Sequence, residues 1–249
     1  MTFQIDTTTS IESQLRAQML RLRKHVFCDE LGWDIPHCEG QEADIFDFGS
    51  SYYLNWVDDL SGAFLGSIRL MPLMRDNLMT TVFRRTIAVE RFGDVRRNCR
   101  VWEGTRLCLN DRLIEPEART AALVTLLGGL FMACRAMGVE MLLCNCSSVK
   151  YRRYRSLGFH VEHLGVTREF RHDAVHCLGF EISEANLHAL MRLSNSPELR
   201  QPVLRGEGIR VARAFTDGTP VAPLAASTHV PPAYIATDAV TGAPMALHA

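Results

Sequence analysis

Lysine is almost missing from this chain. Of 27 basic residues only Lys24 and Lys150 are lysines, so an arginine carries less information here than in an ordinary composition. An excess of one charge is missing too: the formal net charge is -1, which leaves no global field to gather nucleic acid or a membrane surface. The eight cysteines contain no Cys-x-x-Cys pair. Cys144 and Cys146 would share one face of an extended segment, but their spacing suits zinc poorly and reduced thiols are expected. No metal is assigned to the nine histidines. Gly-x-Ser-x-Gly is absent, as is a glycine-rich phosphate loop after a strand, which argues against a serine hydrolase and a nucleotide-triphosphate site. The opening Met1-Thr-Phe-Gln-Ile-Asp6 lacks the layout of a signal peptide. The uncharged run Thr120–Cys134 is read as too short to span a bilayer. A cytoplasmic protein without membrane insertion is the expectation.

What is present is the mix of an ordinary globular protein, with 47% hydrophobic and 22% charged residues. Ile11, Leu15, Met19, Leu22 and Val26 recur at helical steps, with Ser10 as the predicted N-cap. Residues 29–50 read as an irregular loop punctuated by Gly32, Pro36, Gly40 and Gly49. Tyr52–Val57 and Ala63–Leu70 read as a hairpin turning at 58–62, and Val101–Leu109 as a further strand. Glu117–Met137 is apolar on nearly every side between Ala121 and Ala133, which predicts a helix buried against a sheet. A strand at Val139–Cys144, a helix at Val149–Leu157 stopped by Gly158, strands at Phe159–His163 and Ala174–Glu181, and a helix capped by Ser183 and running to Leu193 complete the reading. The fold class is a mixed α/β sheet flanked by helices, one domain over 1–200. Six of the ten prolines fall in 201–249, read as a flexible extension.

Several groupings could carry chemistry. Arg23 and Phe27 are four apart and share a helix face, although a surface arginine beside a core phenylalanine has the same spacing. Trp33 follows and could simply cap the core. Between Cys28 and Ile68 there are nine acids, Asp44 and Asp47 among them, and no lysine or arginine. That stretch would attract an ammonium or sulfonium group, or be a solvated acidic loop. From Arg69 to Arg106 the bias reverses, with nine arginines and four acids. Glu103 sits in an otherwise apolar strand, where desolvation would raise its pKa toward that of a useful base. Arg106, three residues on, would point to the opposite face unless a bulge at Gly104 intervenes. A structural Glu–Arg pair is the competing reading. Lys150, Arg152, Arg153 and Arg155 form either a solvated helix face or a docking patch for an acidic carrier.

Taken in order, four segments resemble the acyl-homoserine lactone synthases, the LuxI-type makers of quorum-sensing signals. They are Leu22-Arg-Lys-His-Val-Phe-Cys-Asp-Glu-Leu-Gly-Trp33, Glu42-Ala-Asp-Ile-Phe-Asp47, Ser67-Ile-Arg-Leu70 with Met71-Pro72, and Trp102-Glu-Gly-Thr-Arg-Leu-Cys108. The resemblance covers roughly residues 11–195. It implies a splayed sheet similar to that of the GNAT acetyltransferases. It also implies S-adenosylmethionine as a substrate rather than a cofactor, and an acyl thioester on acyl carrier protein or coenzyme A as acyl donor. On it, Glu103 is the expected base. Asp44, Asp47 and Arg23 would shape the S-adenosylmethionine pocket, Arg23 by pairing with a carboxylate. Phe27 and Trp33 would close over the adenosyl part, while Arg69 and Arg106 hold the acids or the substrate carboxylate. Cys144 falls where members making 3-oxo signals tend to carry threonine, which favours an unsubstituted or otherwise different acyl group. Gly104-Thr105 replaces a small polar residue and serine, and the extension has no counterpart in the family core. An ordinary acyl-coenzyme A N-acyltransferase and a non-catalytic sensor are the competing readings.

Overall fold

Nearly continuous apolar runs on either side of a polar turn make Tyr52–Val57 (β4) and Phe64–Pro72 (β5) a hairpin, and the computed structural model places that hairpin in the middle of the main sheet. The structure describes residues 2–168, 174–193 and 209–211 of the 249. Asp58 ties the turn by accepting the Ser61 backbone N–H at 3.0 Å. β5 continues antiparallel onto Val101–Leu109 (β6), which has the expected bounds. β6 then runs parallel to Met141–Ser147 (β7), but only from Val101↔Met141 to Glu103↔Leu143. Past those three pairs both strands go on without pairing to each other, and the sheet splays. β7 is completed by Val175–Glu181 (β9), and β9 by Val161–Thr167 (β8), both antiparallel.

The other edge carries a strand that sequence reading left unassigned. Thr2–Thr7 (β1) pairs antiparallel with β4, and Phe3 and Ile5 alternate into the core. Ile209–Val211 (β10) lies parallel on β1. The sheet order is β10-β1-β4-β5-β6-β7-β9-β8, mixed as expected. Apart from those three residues, the predicted extension 201–249 lies outside the described residues.

Ser13–Arg23 (α1) runs without a break into a wider π-helical turn, Lys24–Glu30. Ser10 is not its cap. Glu12 holds that position without a side-chain bond, while Ser10 and Thr7 exchange side-chain-to-backbone bonds of 2.8 and 3.0 Å. Within 29–50 the chain forms a small hairpin, His37–Cys38 (β2) with Gln41–Glu42 (β3), and a 3-10 turn, Ile45–Phe48. A further helix, Val89–Arg97 (α2), lies in a stretch to which the sequence had assigned no element.

The apolar helix is Arg119–Ala136 (α3), preceded by one 3-10 turn at Pro116–Ala118. Together they make a helix long and apolar enough to cross a membrane, against the reading from the uncharged run alone. Here its sides serve two cores. Leu126 and Leu130 pack with Phe3, Leu54, Ile68 and Trp102, while Val124 and Phe131 pack with Phe159, Phe180 and Leu187. Gly129 permits the close approach to β1, because a Cβ there would stand 2.6 Å from the Phe3 ring. Ser148–Ser156 (α4) ends before Gly158, whose φ of +81° suits the predicted stop. Ser183 accepts the Asn186 N–H at 3.5 Å at the start of Glu184–Leu193 (α5).

Candidate active site

The arginine-poor acidic stretch does not stay unpaired. Arg23 at the end of α1, Arg69 on β5 and Arg106 on β6 all turn into it. Asp44 and Asp47 are fixed by local geometry: Asp44 accepts the Phe46 N–H at 2.9 Å, and Asp47 accepts the Asp44 N–H at 2.8 Å, a reciprocal cap on the short 3-10 turn. Arg23 makes two parallel bonds to Asp47 at 2.8 and 2.9 Å and one to Glu42 at 2.6 Å. Arg69 grips Asp44 with bonds of 2.6 and 2.8 Å and stands 3.0 Å from Asp47. Tyr53 donates its hydroxyl to Asp47 at 2.9 Å. Arg106 donates to Glu42 at 3.1 Å and to Asp44 at 3.1 Å. Paired charge-assisted bonds of this kind fix direction as well as distance.

The network has a closed half and an open one. Arg23, Glu42, Asp47 and Arg69 are buried, whereas Arg106 and Asp44 keep 10% and 15% of their surface. The members that face solvent are therefore Asp44 and Arg106. Arg23, expected to pair with a carboxylate, pairs with those of Asp47 and Glu42, and its guanidinium is fully engaged within the protein. Glu42, absent from the predicted site, is its missing member. The signal lay in its position two residues before Asp44, which puts both on one side of an extended segment.

Phe27 and Trp33 stack at 4.8 Å between ring centres, 25° apart. The Arg106 guanidinium sits 5.6 Å from the Phe27 ring and 6.0 Å from Trp33, so the aromatic wall adjoins the open half of the network. These are the residues the sequence grouped there.

Burial acts on Glu42, Asp47 and Glu103 alike, yet with opposite outcomes. It pushes Glu42 up, but the guanidiniums of Arg106 and Arg23 outweigh it and hold Glu42 at about 2. For Asp47 burial is again outweighed, by Arg23 and Arg69, and the group lies well below the usual carboxylate range. Glu103 is buried with one backbone donor, the Met79 N–H at 3.1 Å, and among the described residues it has no ion-pair partner. Burial dominates over Met79 and Arg69, and its pKa rises to about 7. A carboxyl so poised exchanges a proton near neutrality.

A bulge does bring Arg106 to the side of Glu103, though not at Gly104. The β5–β6 register steps from Ser67↔Cys108 to Arg69↔Thr105, so β6 carries one extra residue, and Arg106 itself takes φ +57°. Gly104 has a different use, since a Cβ there would press on Leu142 at 3.0 Å. Cys144 stands apart from the network. It packs with the cluster of Val124, Phe131 and Leu178 beneath α3, where burial first and then nearby Cys146 and Cys177 hold its thiol well above the usual range. Cys144 and Cys146 share this face as their spacing required.

One cluster was illegible in the sequence. His25, Glu30 and Asp111 bring ligand atoms within 4.8 Å of one another. Arg112 reaches His25 Nδ1 at 2.9 Å and Arg119 reaches Asp111 at 3.2 Å, which makes the group an ionic surface network.

Comparison with known proteins follows the same outline. Residues 6–190 match the family described as autoinducer synthase. The acyl-homoserine-lactone synthase of Aeromonas salmonicida is 29% identical over 154 residues, 61% of this chain and 72% of that protein. That of Pseudomonas chlororaphis is 26% identical over 207 residues, 80% of this chain and 95% of that protein. Among solved structures, TofI in a ternary complex with an inhibitor and MTA superposes with a TM-score of 0.63 at 23% identity, covering 80% of this chain and 100% of that one. BjaI, a CoA-dependent acyl-homoserine lactone synthase solved with SAM and isopentyl-CoA, superposes with a TM-score of 0.66 at 19% identity, covering 85% and 93%. These likenesses show a shared fold. The matched segment takes in Arg23, the acidic turn, β5, β6 and Cys144, and by it this chain belongs to the autoinducer synthase family.

Proposed function

We propose that the chain acylates the amine of S-adenosylmethionine from an acyl thioester and closes the product to an acyl-homoserine lactone. The observation that carries this reading is Glu103, a buried carboxyl with a pKa of about 7 on the same face as the ordered acid–arginine cradle. As base it takes the ammonium proton. The freed amine attacks the thioester carbonyl, a C–N bond forms and the thiol leaves. The methionyl carboxylate then attacks its own γ-carbon, the C–S bond breaks, and methylthioadenosine departs as the lactone closes.

Asp44 faces the cationic part of the substrate and Arg106 its carboxylate, since these two groups form the open half of the network. Phe27 and Trp33 lie against the adenosyl part. Arg23, Asp47 and Arg69 are positioning residues that hold the turn carrying Asp44. The acyl chain lies beyond the splay, near α3 and Cys144, and the missing hydroxyl at Cys144 favours a donor without a 3-oxo group. The donor is carried on acyl carrier protein or coenzyme A. Exposed Arg152, Arg153 and Arg155 on α4 give an acidic carrier a docking face.

Mass spectrometry of medium from cells expressing the chain tests the reading. A homoserine-lactone product that disappears with Glu103→Gln is expected. Purified enzyme that releases no methylthioadenosine from S-adenosylmethionine and a panel of acyl thioesters would overturn it.

A further inference from the structure

Asn145 lies in the half of β7 that pairs with β9 but no longer with β6. The β6–β7 ladder stops at Glu103↔Leu143, and Asn145 is two residues further on, so its side chain leaves the sheet on the same face as Leu143. That face is the one bearing Glu103. Leu143, Val101, Met79 and Cys177 form one buried cluster, and Met79 donates its N–H to Glu103. Asn145 is in register with Cys177 on β9, and the Cys177 sulfur stands 3.7 Å from that of Met79. A short path therefore joins Glu103 to Asn145 along one wall.

Both polar atoms of the Asn145 side chain are buried, and neither has a hydrogen-bond partner among the described residues. Buried amides are nearly always satisfied, and an unsatisfied one weakens the fold. An asparagine kept in that condition beside leucine and cysteines points to a ligand that completes it. The distance says which part of the ligand. Two strand residues span about 7 Å. The amine deprotonated by Glu103 sits about 3 Å from that carboxyl, and the thioester carbonyl about 3 Å beyond the amine. The carbonyl is then level with Asn145.

We infer that Asn145 donates Nδ2–H to the thioester carbonyl oxygen and stabilises the negative charge that oxygen takes as the amine adds. The inference rests on the synthase reading above. As the C–N bond forms, the carbonyl π pair moves onto the oxygen facing Asn145. It returns as the C–S bond breaks; the second amine proton goes to the departing sulfur, which leaves as the thiol, while Glu103 holds the first.

Asn145→Leu and Asn145→Asp in the full chain test it, with S-adenosylmethionine and acyl thioesters with and without a 3-oxo group. Removing one such donor costs on the order of 100-fold in kcat. That loss is expected for every acyl donor in both variants, with KM for S-adenosylmethionine unchanged. Asn145→Leu is expected to keep or raise Tm, because it replaces an unpaired buried amide by an apolar group of similar size. A lowered Tm with kcat retained would make Asn145 structural and overturn the inference. Loss confined to 3-oxo donors would overturn it by making Asn145 a reader of the acyl substituent, and a raised donor KM at unchanged kcat would do so by making it a binder of the carrier arm. If the unaltered enzyme forms no lactone from any thioester, the synthase reading falls first and the inference with it. If it forms lactone and Asn145→Leu does so equally fast, the inference alone falls.

Discussion

Asp47 and Glu103 are both buried carboxyls on the same side of one sheet, and they behave as different chemical groups. Asp47 receives Arg23, Arg69, Tyr53 and a backbone N–H, and stays ionised far below its usual range. Glu103 receives one backbone N–H and titrates at about 7. Burial raises both, so the number of cationic partners decides the outcome. A carboxylate caged by guanidiniums can anchor but cannot exchange a proton near neutrality; one left with a single neutral donor can.

The sharpest break in this contrast is Glu103→Gln. Removing a positioned base lowers turnover by about 10²–10⁴-fold, and methylthioadenosine release is expected to fall by that much while thermal unfolding shows an intact fold. Asp47→Asn should do the reverse first. It leaves Arg23 and Arg69 buried with less counter-charge, and removing one partner of a buried pair costs about 3–5 kcal/mol, readable by urea unfolding. An equal loss of stability in both variants would erase the distinction.

Titration sharpens the same comparison. Activity is expected to fall as pH drops through about 7, where Glu103 takes up its proton. Stability should move the other way for this residue. Its folded pKa lies above the ordinary 4.5, so its contribution is full below 4.5 and is lost as pH rises through about 7. The gap between those values corresponds to about 3 kcal/mol, so Glu103→Gln should become the more stable protein above neutrality and converge with the parent in acid. Glu42 has the opposite sign. Its contribution is present above the ordinary 4.5 and is lost as pH falls through about 2. Denaturation midpoints measured across pH separate the two. The smallest effect is expected at the aromatic wall, where Phe27→Leu removes a ring pair worth about 0.5–1.5 kcal/mol and should raise KM for S-adenosylmethionine more than it lowers kcat.

Much of the sheet was legible because its middle strands are long and strongly apolar. Val101–Leu109 emerged with its bounds intact. β1 did not, since Phe3 and Ile5 alternate with Gln4 and Asp6 over only six residues. The site residues were found by the order of their blocks rather than by spacing, which left Arg23 equally well described as a surface residue. Their pairing was out of reach: Glu42 meets Arg106 across 64 positions and Arg23 across 19, and only the folded sheet sets those distances. Asn145 gave no signal at all, because a lone asparagine in an apolar strand becomes informative only when its lack of partners is known.

The extra residue at Arg106 has a consequence for how β6 can vary. Trp102 before it and Leu107 and Leu109 after it face the α3 side, while Glu103 before it and Cys108 after it face the other. The strand thus carries two side-chain phases that would be out of step without one inserted position. Deleting a single residue there would turn Leu107 and Leu109 into the ionic network and Cys108 into the apolar core, with no change in composition elsewhere. The number of residues in β6 is therefore as constrained as their kind: Glu103 and Cys108 share a face only because one extra position lies between them.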